Sequence, residues 1–344
     1  MANNLEKFSP LANRLDRLMS LDIACRGVIQ VLYTAAAEKQ GAPLVLSAAQ
    51  NLLQQVHPGD AVFIATGWMD QPLVDPGHGE TDGPPGAIAL ARALRITCKA
   101  RPIILTDASL VDGIATLARA AGCQCVPPEN LHYSISMNKL LTLSVLPFPE
   151  DWTSAEKEAL RLFNEFSPTA CIALERGAMN EQGVIHNMAG MNTNASQAKL
   201  DAVFQLATQK SILTLGIGDG GNEIGMANIA ECIRAAIPFG QQCACGCGGG
   251  LAPHTLVDLL MPAAVSNWGA YALASMLAAL TGLKEALPDP VRERLVLEAS
   301  VGAGFHDAIY GEVCGSVDGA SMETQLAVVQ LMREAVLQDA KRNG

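Results

Sequence analysis

Five short runs of consecutive apolar, often β-branched residues recur along this chain, and each ends abruptly at a glycine, an acid or a proline. They are Ala61–Gly67, Arg101–Asp107, Thr169–Leu174, Ile212–Ile217 and Leu256–Met261. A strand with one wet face alternates apolar and polar residues, whereas a run that is apolar almost throughout is a strand buried on both faces. Between and after the runs, the spacing predicts helices over Gly86–Thr97, Leu110–Ala121, Ser196–Gln209, Asn222–Ala236, Tyr271–Leu280, Pro290–Glu298 and Met322–Asp339. Buried strands alternating with helices imply crossover connections, hence an α/β fold: a mostly parallel sheet with helices on both faces, Rossmann-like and three-layered. In such sheets ligands collect beyond the carboxyl ends of the strands. The loops that follow the five runs are therefore where chemistry is expected.

Upstream of the first run, Phe8, Leu11, Leu15 and Leu18 recur at three- and four-residue steps, and Val28–Ala37 is rich in apolar residues. Residues 1–58 are thus expected to form a helical layer packed on the sheet, with the whole chain, 1–344, one α/β domain. The segment Pro127–Thr153 is the loosest, and a subdomain boundary, if the chain has one, falls there. Hydrophobic residues make up 49% of the 344 and charged residues 17%, enough apolar material for a large core and too little charge for disorder.

Charge removes several function classes. With 23 basic against 34 acidic residues the net charge is −11, and no Lys/Arg cluster exists to meet nucleic acid or an anionic membrane. The start Met1–Lys7 lacks a basic-then-apolar signal pattern, and the apolar stretch Leu256–Leu283 is broken by Pro262 and Ser266–Gly269, short of the ~20 residues that span a bilayer. The expectation is a cytoplasmic homo-oligomer acting on a small acidic molecule, with no nucleic-acid or membrane partner. Ten cysteines in such a chain read as thiols. Cys243, Cys245 and Cys247 alternate in a glycine-rich stretch that can hold a soft metal, but paired C-x-x-C spacing is missing and His254 is the one imidazole nearby in sequence. Incidental thiols on a flexible loop are the expectation there.

The densest motif follows the fourth run. Gly216, Gly218, Gly220 and Gly221 place four glycines in six residues around Asp219, with Asn222, Glu223 and Gly225 just beyond. Gly216, Gly218 and Gly221 satisfy the G-x-G-x-x-G spacing of dinucleotide sites. Asp219 and Glu223 count against a nucleotide, because their charge repels a pyrophosphate unless a cation intervenes. Acids on a flexible loop are instead the hard oxygen donors of a divalent-cation site. Helix capping explains an acid here but not four glycines. After the first run, Glu80 and Asp82 sit in the turn His78–Gly86 at the same sheet edge. Glu80, Asp82, Asp219 and Glu223 are therefore candidate ligands for one or two hard cations, Mg²⁺ or Mn²⁺.

Glu175 and Arg176 follow the third run directly. The fork of Arg176 suits a substrate carboxylate, and His186 is either a structural imidazole or an acid/base group. In Val265–Tyr271, Ser266 or Asn267 caps the next helix, and Asn267 and Trp268 can line a pocket. No G-x-S-x-G, H-E-x-x-H or G-x-x-x-x-G-K-[ST] pattern occurs, so serine-esterase, zincin and P-loop chemistry fall away.

Taken in order, Glu80–Gly86, Glu175-Arg176, His186-Asn187-Met188, Gly216–Gly225 and Val265–Gly269 resemble the D-glutamate cyclase-like family over about Gly67 to Gly269. The resemblance implies an α/β lyase that turns D-glutamate into 5-oxo-D-proline and water, with Mn²⁺ or Mg²⁺ as cofactor. The chain corresponds to the C-terminal part of the mammalian enzyme, which carries an additional N-terminal half. On this reading Glu175, His186 and Asp219 are catalytic. Thr66, Arg176, Asn187, Gly218, Gly220, Gly221 and Asn267 hold substrate. The residues alone leave other readings open: a Mn/Mg-dependent phosphohydrolase or other small-acid enzyme, a non-catalytic ligand-binding module, and a nucleotide-dependent oxidoreductase.

Overall fold

A computed structural model describes residues 2–343, with side chains from Lys7 to Arg342, so Met1 and Gly344 of the expected 1–344 unit lie outside the described residues. Seven strands are found among them: β1 Ala61–Thr66, β2 Arg101–Thr106, β3 Gln124–Cys125, β4 Thr142–Pro147, β5 Pro168–Leu174, β6 Leu213–Gly218 and β7 Leu259–Pro262. They form one sheet in the order β3-β4-β2-β1-β5-β6-β7, and every pairing is parallel. The α-helices are α1 Ala2–Met19, α2 Ile29–Gln40, α3 Leu44–Gln55, α4 Pro84–Thr97, α5 Val111–Ala120, α6 Leu131–Met137, α7 Trp152–Phe166, α8 Asp201–Gln209, α9 Ala230–Ala236, α10 Ser266–Thr281, α11 Pro290–Gly302 and α12 Met322–Asn343.

The three-layer α/β expectation holds. All of β1 is buried, as a central parallel strand must be. Helices α3, α4 and α10 cover one face, with α1, α11 and α12 packed behind them, while α8 packs on β5 and β6 from the other side, beside α7, whose Phe163 and Phe166 meet Phe63 of β1. Helices α1–α3 dock on α10, α12 and the β7 edge, which makes the N-terminal layer continuous with the main core from Leu11 to Val336. No helix among the described residues is long and apolar enough to cross a membrane.

Three expectations about elements need correction, the first being the helix expected over Ser196–Gln209, which begins only at Asp201. The loose segment Pro127–Thr153 contains α6, β4 and the start of α7, and β3 lies just before it: β3 is two residues long and β4 ends exposed at Pro147, so neither carries a full buried-strand pattern. The helix expected over Asn222–Ala236 is helical only from Ala230, after a 3₁₀ turn. Gly221 (φ 110°) and Gly225 (φ 98°) bend the chain through left-handed conformations that a helix cannot contain.

The order of the strands locates the site. From the central β1 the chain runs to β2, β4 and β3 on one side, then returns to build β5, β6 and β7 on the other. The direction of winding reverses between β1 and β5, and a crevice opens beyond their carboxyl ends at such a switch point.

Candidate active site

Acids from both sides of the switch point converge in that crevice. Glu80 and Asp82 come from the loop after β1, Glu175 from the first residue after β5, and Asp219 from the first residue after β6. One carboxylate oxygen from each of Asp82, Glu175 and Asp219 lies within 4.8 Å of the others, and all three side chains are buried. Glu80, Glu175 and Asp219 border a cavity of about 240 Å³, walled also by Trp68, Asn187, Met188 and Asn222. Gly83 makes the convergence possible. At φ 101° it turns the chain where a Cβ would meet Thr66 Oγ1 at 2.8 Å and the Glu175 side chain at 3.0 Å. Glu175 itself has φ 44°, a left-handed conformation uncommon for a non-glycine residue and often found where a site holds a side chain in place.

Two acids and an asparagine fasten this architecture. Asp82 accepts hydrogen bonds from the amides of Ser266 (2.8 Å) and Asn267 (2.9 Å), so it caps α10 from another part of the chain. Asn267 returns the favour at α4: its Oδ1 accepts from the amides of Gly83 (3.1 Å) and Gly86 (2.7 Å). Glu223 folds back over the glycine-rich loop and accepts from the amides of Asp219 (2.8 Å), Gly220 (2.6 Å) and Gly221 (2.7 Å). The amides that would cradle a pyrophosphate are thus occupied from within, which removes the physical basis of the dinucleotide reading.

Two participants were missed by sequence reasoning. Arg26, from the turn between α1 and α2, donates through one nitrogen to both Asp219 and Asp318, each at 2.6 Å. Asp318 comes from the loop before α12, at φ 51°. Each lies outside the strand-end motifs, and a lone arginine and a lone aspartate in loops give no pattern to read. Among the described residues lining the cavity, Arg26 is the one lysine or arginine.

Six buried carboxylates around one guanidinium strain against ionisation. Burial, then the charges of Asp318 and Asp82, hold Glu80 well above the ordinary carboxylate range. Burial, then Asp219, pushes Asp82 up to about 7. Glu175 is raised well above its usual value by burial and then by Asp219 and Glu223. Asp219 is raised by burial against the pull of Arg26, and burial brings Asp318 up to about 6. Burial and the Asp219 charge also raise Glu223, although three amides oppose them. Each of the six therefore holds a proton more tightly than a solvated carboxylate does.

Several expected site residues have other employment. Arg176 is fully buried, paired with Asp107 and bonded to the carbonyls of Gly67 (2.5 Å) and Ala198 (2.7 Å), so its fork is closed to a substrate carboxylate. His186 is buried and does not line the cavity: its Nε2 lies 3.3 Å from Cys245 Sγ and 3.6 Å from Cys247 Sγ, so its ring faces the cysteines. The alternating cysteines are not incidental thiols on a loose loop, since they meet one another and this histidine. Thr66 is fully buried beneath Gly83, and Asn267 is consumed by the α4 amides. A side chain at Gly218 would strike Glu223, so that glycine serves close packing, and the amides of Gly220 and Gly221 are taken by Glu223. Glu223 is a clasp on the loop, its oxygens spent on three amides, and not an open ligand. Asn187 does reach the cavity wall, although its Oδ1 also accepts from the amides of Ala189 and Met191.

The chain is similar to known proteins. The human protein "D-glutamate cyclase, mitochondrial" (Homo sapiens) is 29% identical over 274 residues, which cover 76% of this chain and 38% of that relative. The chain thus spans well under half the length of the curated relative that it matches. The family model described as "D-glutamate cyclase-like, C-terminal" matches residues 15–333, a span that takes in Arg26 and Asp318 as well as every acid of the crevice, and the chain belongs to that family.

Proposed function

We propose that the chain is a lyase that closes D-glutamate into 5-oxo-D-proline with release of water, using Mn²⁺ or Mg²⁺ bound by the acids of the crevice. The observation that carries this reading is the meeting of Asp82, Glu175 and Asp219 within 4.8 Å at the switch point of the sheet. Family membership and the name of the human relative favour this substrate.

The residues fit a hard cation. Their donors are carboxylate oxygens alone, the set that suits Mg²⁺ or Mn²⁺. Raised proton affinity throughout the cluster is the mark of negative charge awaiting compensation. A substrate with two carboxylates cannot approach these acids unaided, because Arg26 is already shared between Asp219 and Asp318. Asp82, Glu175 and Asp219, with Glu80 beside them, would hold the ion; when bound it supplies the positive charge that makes a carboxylate electrophilic.

The remaining work falls to the protein. Buried acids attract the substrate ammonium, and Trp68 and Met188 shield the reacting centre from bulk water. Binding glutamate folded, with its amine against its γ-carboxyl carbon, removes much of the entropic barrier to ring closure. The ammonium loses two protons as the C–N bond forms, and the departing oxygen needs two to leave as water. Glu175 and Glu80, both with raised proton affinity, can pass protons from the amine to that oxygen. A phosphohydrolase has less support, since the amides of the glycine loop and of the α10 N-terminus are already bonded to Glu223 and Asp82.

The test is an NMR time course with D-glutamate, L-glutamate and 5-oxo-D-proline, with Mn²⁺ or Mg²⁺ and with metal stripped. Metal-dependent formation of 5-oxoproline from D-glutamate is the expected result. No interconversion with either ion refutes the assignment.

A further inference from the structure

We propose that His186, Cys243, Cys245 and Cys247 form a tetrahedral site for one zinc-class divalent ion, which pins the loop bearing Asn187, Met188 and Ala189 against the crevice. The four donor atoms lie within 4.8 Å of one another. Zinc holds thiolate sulfur at about 2.3 Å and imidazole nitrogen at about 2.0 Å, so the edges of a tetrahedral site measure roughly 3.5–3.8 Å. Four of the six edges here are 3.2 Å for Cys243–Cys245, 3.5 Å for Cys243–Cys247, 3.3 Å for His186–Cys245 and 3.6 Å for His186–Cys247. A disulfide would bring two sulfurs to about 2.0 Å, and all ten cysteines are free.

The loop is shaped to this end. Gly246 (φ 78°) and Gly248 (φ 87°) curl the chain so that alternate cysteines face a common point. The Cys243 amide donates to Gly249 O (2.8 Å), closing the curl. Asn180 Nδ2 donates to Cys247 Sγ at 3.5 Å and to Gly250 O at 2.8 Å, the kind of outer contact that orients a thiolate ligand. His186, 59 residues before Cys245, completes the set. Its ring is 1% exposed, and Nδ1 is buried without a protein partner, so the imidazole is engaged only through the nitrogen that faces the sulfurs.

The position gives the ion a task. His186 sits on an arm tied by bridges Met179–Ile185 and His186–Asn192, and the next three residues line the crevice. Its carbonyl accepts from Asn222 Nδ2 (2.8 Å), and Gly190 O accepts from the Ala244 amide (3.0 Å). The arm is thus held between the glycine loop and the cysteine loop. Three sulfurs and a nitrogen suit zinc, while the oxygen-only crevice suits a hard ion, so one chain sorts two metals by donor type.

The experiment uses the full chain, purified in reductant without chelator. Elemental analysis is expected to find one zinc per chain that survives dialysis. Cobalt(II) added to the zinc-free chain is expected to give thiolate charge-transfer absorption and the intense visible bands of four-coordinate cobalt. Both signals disappear in a Cys245→Ser/Cys247→Ser variant and persist in Asp219→Asn, which separates this site from the acids. Octahedral-only cobalt spectra in the wild-type chain, or zinc that fails to protect Cys243, Cys245 and Cys247 from alkylation, overturn the proposal. Both of these readouts need no variant to fold.

Discussion

Replacing Arg176 with methionine tests most directly whether the crevice has been read correctly. The guanidinium is fully buried, and its nitrogens reach Asp107 Oδ1 (3.2 Å), Asp107 Oδ2, Gly67 O (2.5 Å) and Ala198 O (2.7 Å). Methionine fills similar volume but leaves the Asp107 carboxylate, 1% exposed, with the Ala198 amide (2.6 Å) as its remaining partner. Breaking one half of a buried ion pair costs about 3–5 kcal/mol, because the other charge stays in a medium that cannot solvate it. Set against a total stability of about 5–15 kcal/mol, that is a large share. With an unfolding entropy of about 2.1 cal/mol/K per residue, a chain of this length loses roughly 1–2 °C per kcal/mol, so the thermal midpoint should fall by about 4–7 °C. Urea titration followed by tryptophan fluorescence reads the loss. The Arg176→Met/Asp107→Asn double variant should recover part of it, since the stranded charge is gone, and the cycle measures the coupling. An Arg176→Met protein with an unchanged urea midpoint but lost affinity for D-glutamate would show that the arginine serves substrate, and the structural reading would be wrong.

Other expectations can be checked on the same preparations. Glu175→Gln or Asp219→Asn should leave the fold intact, with an equal or higher thermal midpoint because one crowded charge is gone, and lower metal-dependent turnover by about 10²-fold or more; full turnover removes that residue from the scheme. In chelator, stability should fall as pH rises. The raised carboxyls hold protons more tightly folded than unfolded, so their contribution is complete below the ordinary value of about 4 and is lost through about 6 for Asp318 and about 7 for Asp82. Thermal midpoints near pH 5 and pH 8 with chelator, and near pH 8 with Mn²⁺, should show a deficit at about pH 8 that the ion reverses; a flat profile contradicts the charge-crowding account. Asn267→Ala strands the buried amides of Gly83 and Gly86 and should cost about 2–4 kcal/mol in chemical denaturation. A near-neutral result would mean that Asn267 is no clamp.

Local pattern determined the layers. Strands buried on both faces must be apolar throughout, so Ala61–Thr66 and Arg101–Thr106 announce themselves, and so do the acids in the loops that follow such runs. Glu80, Asp82, Glu175 and Asp219 were legible for that reason: position after a strand places a residue at one sheet edge whatever the rest of the chain does. What a side chain touches within that edge was not legible. Glu223 and Asp219 look alike in sequence, yet Glu223 reaches back to three amides while Asp219 faces Arg26. Arg176 reads as a free fork until Asp107, 69 positions away, is seen to fill it. Arg26, Asp318 and the meeting of His186 with the cysteines arise from segments far apart in the chain. Periodicity records which way a backbone faces over a few residues; which partners then satisfy a buried charge or a thiol is decided by distant segments packing together, and only the tertiary structure holds that information.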